Sequence, residues 1–158
     1  MRDNKRINAE IKLACQVYGA NHVLWAPDGS WIKISVFPLP PNLNMKITEI
    51  IIIFPEQYGY GAPLRDCFVN PDLKAWNPKT NQLVELPHYY QQYPYTKPPI
   101  GSKEEFVRKQ WRYLCIHEKN WHPQKSNIVT FLQYVNFFLS DPLRDWKSLF
   151  ESYETRKR

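Results

Sequence analysis

The stretch "WRYLCIHEKNWHP", residues 111–123, holds one cysteine, two histidines and one carboxylate in thirteen positions. A cysteine two residues from a histidine is equipment for acyl transfer. The thiolate exchanges with a thioester, and an imidazole within reach holds or moves the proton. The base matters, because a thiol with the ordinary pKa of about 8.5 is only a few per cent ionised at neutral pH. On an extended chain Cys115 and His117 point to the same face; on a helix they would lie about 200° apart. The pair therefore predicts an extended segment or a turn with the His117 ring near the sulfur. Asn120 and His122 are further candidates to donate to a tetrahedral oxyanion, a contact worth about 3–4 kcal/mol in comparable acyl transfers. Glu118 is the nearest acid that could neutralise an incoming ammonium. The structural alternative for Cys115 is a core thiol, since cysteine is a small and often buried hydrophobe. Trp121 and Pro123 read as structural, fixing the loop under the cysteine. Cys115 and His117 with His122 and His88 offer four metal ligands but no recognised zinc spacing, so no metal is assigned.

Composition narrows the setting. The chain has 158 residues, enough for one domain, 1–158, that buries a core without staples. It carries 14 prolines against 5 glycines, which predicts rigid loops rather than flexible linkers. Three widely spaced cysteines, Cys15, Cys67 and Cys115, argue against a disulfide framework and fit a reducing compartment. The longest apolar run, residues 50–54, is strand-sized, and "MRDNKRINAE" has no apolar signal core. The expectation is a cytoplasmic protein with no membrane association. The formal charge is +6, much of it near the ends; it suits an acidic protein partner. The aromatic stretch "YYQQYPY" at 89–95 has no interleaved Lys or Arg, so no nucleic acid is expected there.

The elements that must carry the cysteine come next. In "KRINAEIKLACQVYG", Ile7, Ile11, Ala14, Cys15 and Tyr18 recur at helical spacing and Gly19 is a stop. Cys15 is thus read as a buried structural thiol. "HVLWA" runs through Asp28-Gly29, a hairpin signal, into "WIKISVF", where Trp31, Lys33 and Ser35 alternate with Ile32, Ile34 and Val36. "MKITEIIIIFP" ends in an unbroken apolar run, as a central strand covered on both faces would. "LRDCFVN" is a fourth, shorter strand. Residues 71–101 have no sustained period and are expected to form a long ordered loop with a short hairpin at "NPKTNQLVEL". "SKEEFVRKQWRYL" starts as a helix, with Ser102 and Glu105 in capping-box spacing, although its aromatics nearer Cys115 suit an extended chain. Ile128, Phe131, Leu132, Val135, Phe138 and Leu139 make an amphipathic helix with Ser126 or Asn127 as cap and Asp141-Pro142 as stop. A last helix is expected over "LRDWKSLFESYETRK". The fold class is α+β, helices against an antiparallel sheet.

Three fragments in order resemble the ubiquitin-conjugating enzymes. "KRINAEI" resembles the start of that family's first helix. "ITEIIIIFPEQYGYGAP" resembles its third strand and the proline-rich turn after it, here Phe54-Pro55, Tyr58-Gly59-Tyr60 and Ala62-Pro63. "LCIHEKNWHPQKSNIVTFLQYVNFFLSDP" resembles its catalytic cysteine, a Trp-x-Pro and the helix closing on Leu-x-Asp-Pro. The family's His-Pro-Asn tripeptide is absent, and its place reads "KQWRYL". Leucine precedes Cys115 here, where the family usually has it after. Divergent bacterial conjugating-enzyme-like proteins share this kind of departure, so the resemblance implies a bacterial source and admits a role in antiviral defence. It implies a UBC-like fold: an N-terminal helix, a four-stranded antiparallel meander, a long loop with the active cysteine, then C-terminal helices. It also implies a transferase that needs no cofactor. Cys115 would accept the C-terminus of a ubiquitin-like protein from an activating enzyme as a thioester and pass it to a substrate lysine amine. His117 would stand in for the missing asparagine. The activating enzyme would dock on the first helix, at Arg2, Lys5, Arg6 and Lys12. The alternative is a non-catalytic UBC-like or RWD-like interaction module; the retained cysteine favours catalysis.

Overall fold

Helix α1 (Asn4–Tyr18) starts where the Asp3 side chain accepts from the Arg6 N–H, and it ends at Gly19. It is the first element of a computed structural model that describes residues 2–86, 98, 100–118 and 120–144. Its stripe of Ile7, Ile11 and Ala14 is buried, as the spacing predicts, while Cys15 is only half-buried, at the margin of the core.

Five strands follow in one antiparallel sheet: β1 (Val23–Trp25), β2 (Trp31–Pro38), β3 (Ile47–Ile53), β4 (Asp66–Val69) and β7 (Arg112–Cys115), in that spatial order. The expected four-stranded meander is thus one strand short. The added strand is the segment that ends in Cys115, so the cysteine sits on a strand and not in a long loop. The physical reason is alternation. Leu114 and Ile116 fill the core on one face while Tyr113 and Cys115 pack on the other, and β4 has an open edge to pair with. The β1–β2 turn contains Gly29 at φ 70°, and the Asp28 carboxylate accepts from the Ser30 N–H and hydroxyl. The central strand β3 is covered on both faces, with Ile50 and Ile52 on the α1 side and Ile51 on the other. The alternation expected in β2 breaks near its end. A bulge between Ile34 and Phe37 turns Phe37 inward, and Val36 is only half-buried. The hairpin expected at 77–86 begins earlier: β5 (Lys74–Asn77) pairs with β6 (Gln82–Glu85) across a turn at 78–81, separate from the main sheet.

Three helices cover the sheet, two on one face and one on the other. On one, α1 and α3 (Ile128–Ser140) enclose the main core, to which α3 contributes Ile128, Phe131, Leu132, Val135, Phe138 and Leu139. Each such side chain adds about 1.5–3 kcal/mol on burial. Asn127 caps α3 with a capping box formed with Thr130, and Asp141 ends it. On the other face the short α2 (Lys103–Arg108) inserts Phe106 between Trp31 and Phe68, with ring centroids 5.9 and 5.4 Å away. Ser102 caps α2 by accepting from the Glu105 N–H. Of the expected last helix only residues 143 and 144 are described, and they form a turn and a bend; the rest lies outside the described residues, as do His88 and the aromatic stretch 89–95. Among the described residues no helix is long and apolar enough to cross a membrane.

One buried carboxylate ties these elements together. Glu10 of α1 is 2% exposed. It accepts from the Tyr58 hydroxyl at 2.7 Å, the Ile128 N–H at 2.7 Å and Arg6 Nε at 2.8 Å. Arg6 also donates to the Ser126 carbonyl at 2.5 Å. The turn carrying Tyr58 packs so closely on the start of α1 that a Cβ on Gly59 would come within 2.6 Å of the Asp3 Cβ. Gly59 has φ 93°, which other residues rarely adopt. Trp121 packs on Tyr58 with centroids 6.2 Å apart. The chain between Cys115 and α3 is therefore held from below, which is the structural role expected of Trp121.

Candidate active site

Cys115 is the last residue of β7, opposite Asp66 of β4. Strand alternation puts Tyr113, Cys115 and His117 on one face and Leu114 and Ile116 in the core. The segment is extended, as the two-residue spacing predicts. The sulfur is half-buried and lies 2.9 Å from His117 Nε2. The His117 carbonyl accepts from the Tyr134 hydroxyl of α3 at 3.1 Å, so the backbone that carries the ring is fixed to a helix.

The other sequence candidates separate from this pair. Asn120 and His122 are exposed on the turn that follows. His122 contributes its backbone N–H, which donates to the Ser126 hydroxyl at 3.0 Å. Glu118 is 6% exposed, so its carboxylate is not presented to an incoming ammonium, contrary to the expectation. Its place in the alternation explains this, for it follows the exposed His117. Cys67 is fully buried, and its thiol donates to the Leu114 carbonyl at 3.7 Å. Burial pushes that thiol well up, so it is inert at neutral pH.

Four residues around the pair were not found from sequence. The Tyr113 hydroxyl donates to Asp66 Oδ1 at 2.5 Å and also touches Cys115. Lys103 of α2 sits 3.7 Å from Asp66 Oδ2 and 5.9 Å from the Tyr113 ring centroid. Arg65 precedes Asp66 and is exposed, and its carbonyl accepts from the Ile116 N–H at 2.8 Å. Tyr113 could have been found, since it stands two residues before the cysteine on an alternating segment. Asp66, Arg65 and Lys103 depend on strand register and helix placement, which no local pattern encodes.

These neighbours set the proton balance. Burial raises the Cys115 thiol above its ordinary value, and Asp66 adds to this; the Tyr113 hydrogen bond, Lys103 and Arg65 pull the other way without reversing it. Burial lowers the His117 imidazole, helped by Arg65 and Lys103 and opposed by Asp66. At neutral pH the pair is therefore a thiol facing a neutral imidazole, not a preformed ion pair. Such a dyad makes its nucleophile on demand, by passing the sulfur's proton to Nε2 as the sulfur attacks. Comparison with protein-family models finds no match for this chain, and searches of characterised proteins and of solved structures find none either.

Proposed function

We propose that the chain is a conjugating enzyme for a ubiquitin-like protein. Cys115 takes the protein's C-terminal carbonyl from an activating enzyme by thioester exchange, holds it, and releases it to a substrate amine. The observation that carries this reading is the 2.9 Å contact between a half-buried cysteine and a histidine on the rim of the sheet. A non-catalytic interaction module on the same UBC-like plan has no use for that contact. A thiol suits the carrier role because exchange between thioesters is nearly neutral in bond energy. The motif order Cys115, Trp121-His122-Pro123, then α3 supports the family resemblance. So does the arrangement of an N-terminal helix, an antiparallel sheet and a helix after the cysteine. The reaction needs a reducing compartment, consistent with three free cysteines.

Docking of the activating enzyme on α1 is part of the proposal in a narrower form than charge alone gave. Arg6 is committed to Glu10 and Ser126, and Arg2 Nε donates to the Phe54 carbonyl. Lys5 and Lys12 are exposed and carry the proposed surface. The test is charging: purified protein with activating enzyme, ATP and the ubiquitin-like protein acquires an ATP-dependent adduct that thiol reductants remove. Absence of any such adduct across the activating enzyme and ubiquitin-like protein pairs tried argues for the interaction module.

A further inference from the structure

The acceptor class follows from the charges around the sulfur, given the acyl-carrier reading on which this inference rests. Once Cys115 carries an acyl group, its sulfur has no proton to share. His117 Nε2 then faces the thioester from the position it held 2.9 Å from the thiol sulfur. Two cations flank the site where the next group attacks: Lys103 lies 3.7 Å from Asp66 Oδ2, on the residue opposite Cys115, and 5.9 Å from the Tyr113 ring centroid, and Arg65 is exposed just before Asp66. Among the described residues the carboxylate acting on the pair is Asp66, already engaged by the Tyr113 hydroxyl and by Lys103. Glu118 is buried. A lysine side chain arrives as an ammonium at neutral pH, because its ordinary pKa is about 10.4. Two cations against one engaged anion oppose its approach. An uncharged hydroxyl meets no such opposition. Its difficulty is different: it attacks well only if a base takes its proton as the new bond forms. The neutral imidazole supplies that base.

We propose that the acyl group on Cys115 passes to hydroxyl acceptors, such as serine or threonine side chains, as well as to amines, with His117 as general base. In the step, the hydroxyl oxygen bonds to the thioester carbon while its proton moves to His117 Nε2. The tetrahedral intermediate collapses by breaking the carbon–sulfur bond. The imidazolium returns the proton to the departing Cys115 thiolate. The products are an oxyester and the free thiol, and nothing is oxidised or reduced.

The test needs neither partner protein. The full chain is acylated with a short peptide ending in Gly-Gly, supplied as the thioester of a small thiol, and excess donor is removed. The acyl-enzyme is then given N-acetylserinamide or Nα-acetyllysine, and products are followed by mass spectrometry. The expected result is transfer to both, with the serine product cleaved by hydroxylamine and the lysine product resistant. His117→Ala should slow transfer to the hydroxyl by about a thousandfold, within the usual range for general-base catalysis. Transfer to the amine should slow by only about ten- to a hundredfold, since a neutral amine attacks without prior proton removal. Lys103→Glu, which leaves His117 in place, should raise the amine-to-hydroxyl ratio several-fold. Acyl-enzyme that discharges only to Nα-acetyllysine overturns the hydroxyl proposal and leaves the carrier reading standing. Equal losses on both acceptors in His117→Ala overturn the general-base role. Failure of Cys115 to take up the acyl group overturns the carrier reading and this inference with it.

Discussion

Removing the Glu10 carboxylate should cost the fold far more than its position on a short N-terminal helix suggests. Glu10→Ala leaves two donors without their acceptor: the Tyr58 hydroxyl, whose ring is 1% exposed, and the Ile128 N–H at the start of α3. Each buried donor left unsatisfied costs about 1–3 kcal/mol. Arg6, with 24% of its side chain exposed, loses a 2.8 Å ion pair but regains water on one side, so its share is small. The sum is about 2–6 kcal/mol, which brackets the roughly 3–5 kcal/mol seen when one partner of a buried pair is removed. Against a typical total of about 5–15 kcal/mol, that is a large fraction. Urea unfolding followed by tryptophan fluorescence should show a lower midpoint at an unchanged slope. Glu10→Gln should recover part of the loss, since the amide oxygen still accepts two of the three bonds from the Oε1 position or one from the Oε2 position. Trp121, which packs on Tyr58, should become more accessible to a quencher in Glu10→Ala while the protein is still folded. A destabilisation below about 1 kcal/mol would refute the reasoning, because it would mean that the buried donors find other acceptors.

Two further predictions concern the site and its approach. The alkylation rate of Cys115 by iodoacetamide should rise with pH through a midpoint above that of an ordinary thiol, since burial raises the group and the thiolate is the reactive form; a midpoint below that of free cysteine would contradict the neutral dyad. Reversing the charges of Lys5 and Lys12 should slow charging by the activating enzyme at low salt and leave unfolding unchanged, and unaltered charging kinetics at low salt would remove that surface from the proposal.

The parts of this molecule that could be read from sequence are those where one short window carries the whole signal. The stripes of α1 and α3, the apolar run of β3 and the turn at Asp28-Gly29 all stand in the structure where their periods place them. The shared face of Cys115 and His117 is legible for the same reason, because alternation needs only two residues. The fifth strand was not, since four residues hold too little pattern to distinguish a strand from a loop end. Its partner, β4, lies more than forty residues earlier in the chain. The charges failed for a related reason. Arg6 reads as a surface cation in a basic N-terminus, yet it turns in toward Glu10 and Ser126. Glu10 did leave a signal: it stands three residues after Ile7 and one before Ile11, on the apolar stripe, where a carboxylate must have partners to be buried. Asp66, Arg65 and Lys103 reach the cysteine only through cross-strand register and the seating of α2, so their effect on the dyad belongs to tertiary structure.

The most direct measurement is the location of the acyl group after charging. The protein is mixed with activating enzyme, ATP and the ubiquitin-like protein, quenched without reductant, and digested for peptide mass spectrometry. The account predicts the C-terminal remnant as a thioester on Cys115, unaffected by Cys15→Ala and Cys67→Ala together and absent in Cys115→Ala. An adduct of the same yield in Cys115→Ala would contradict it.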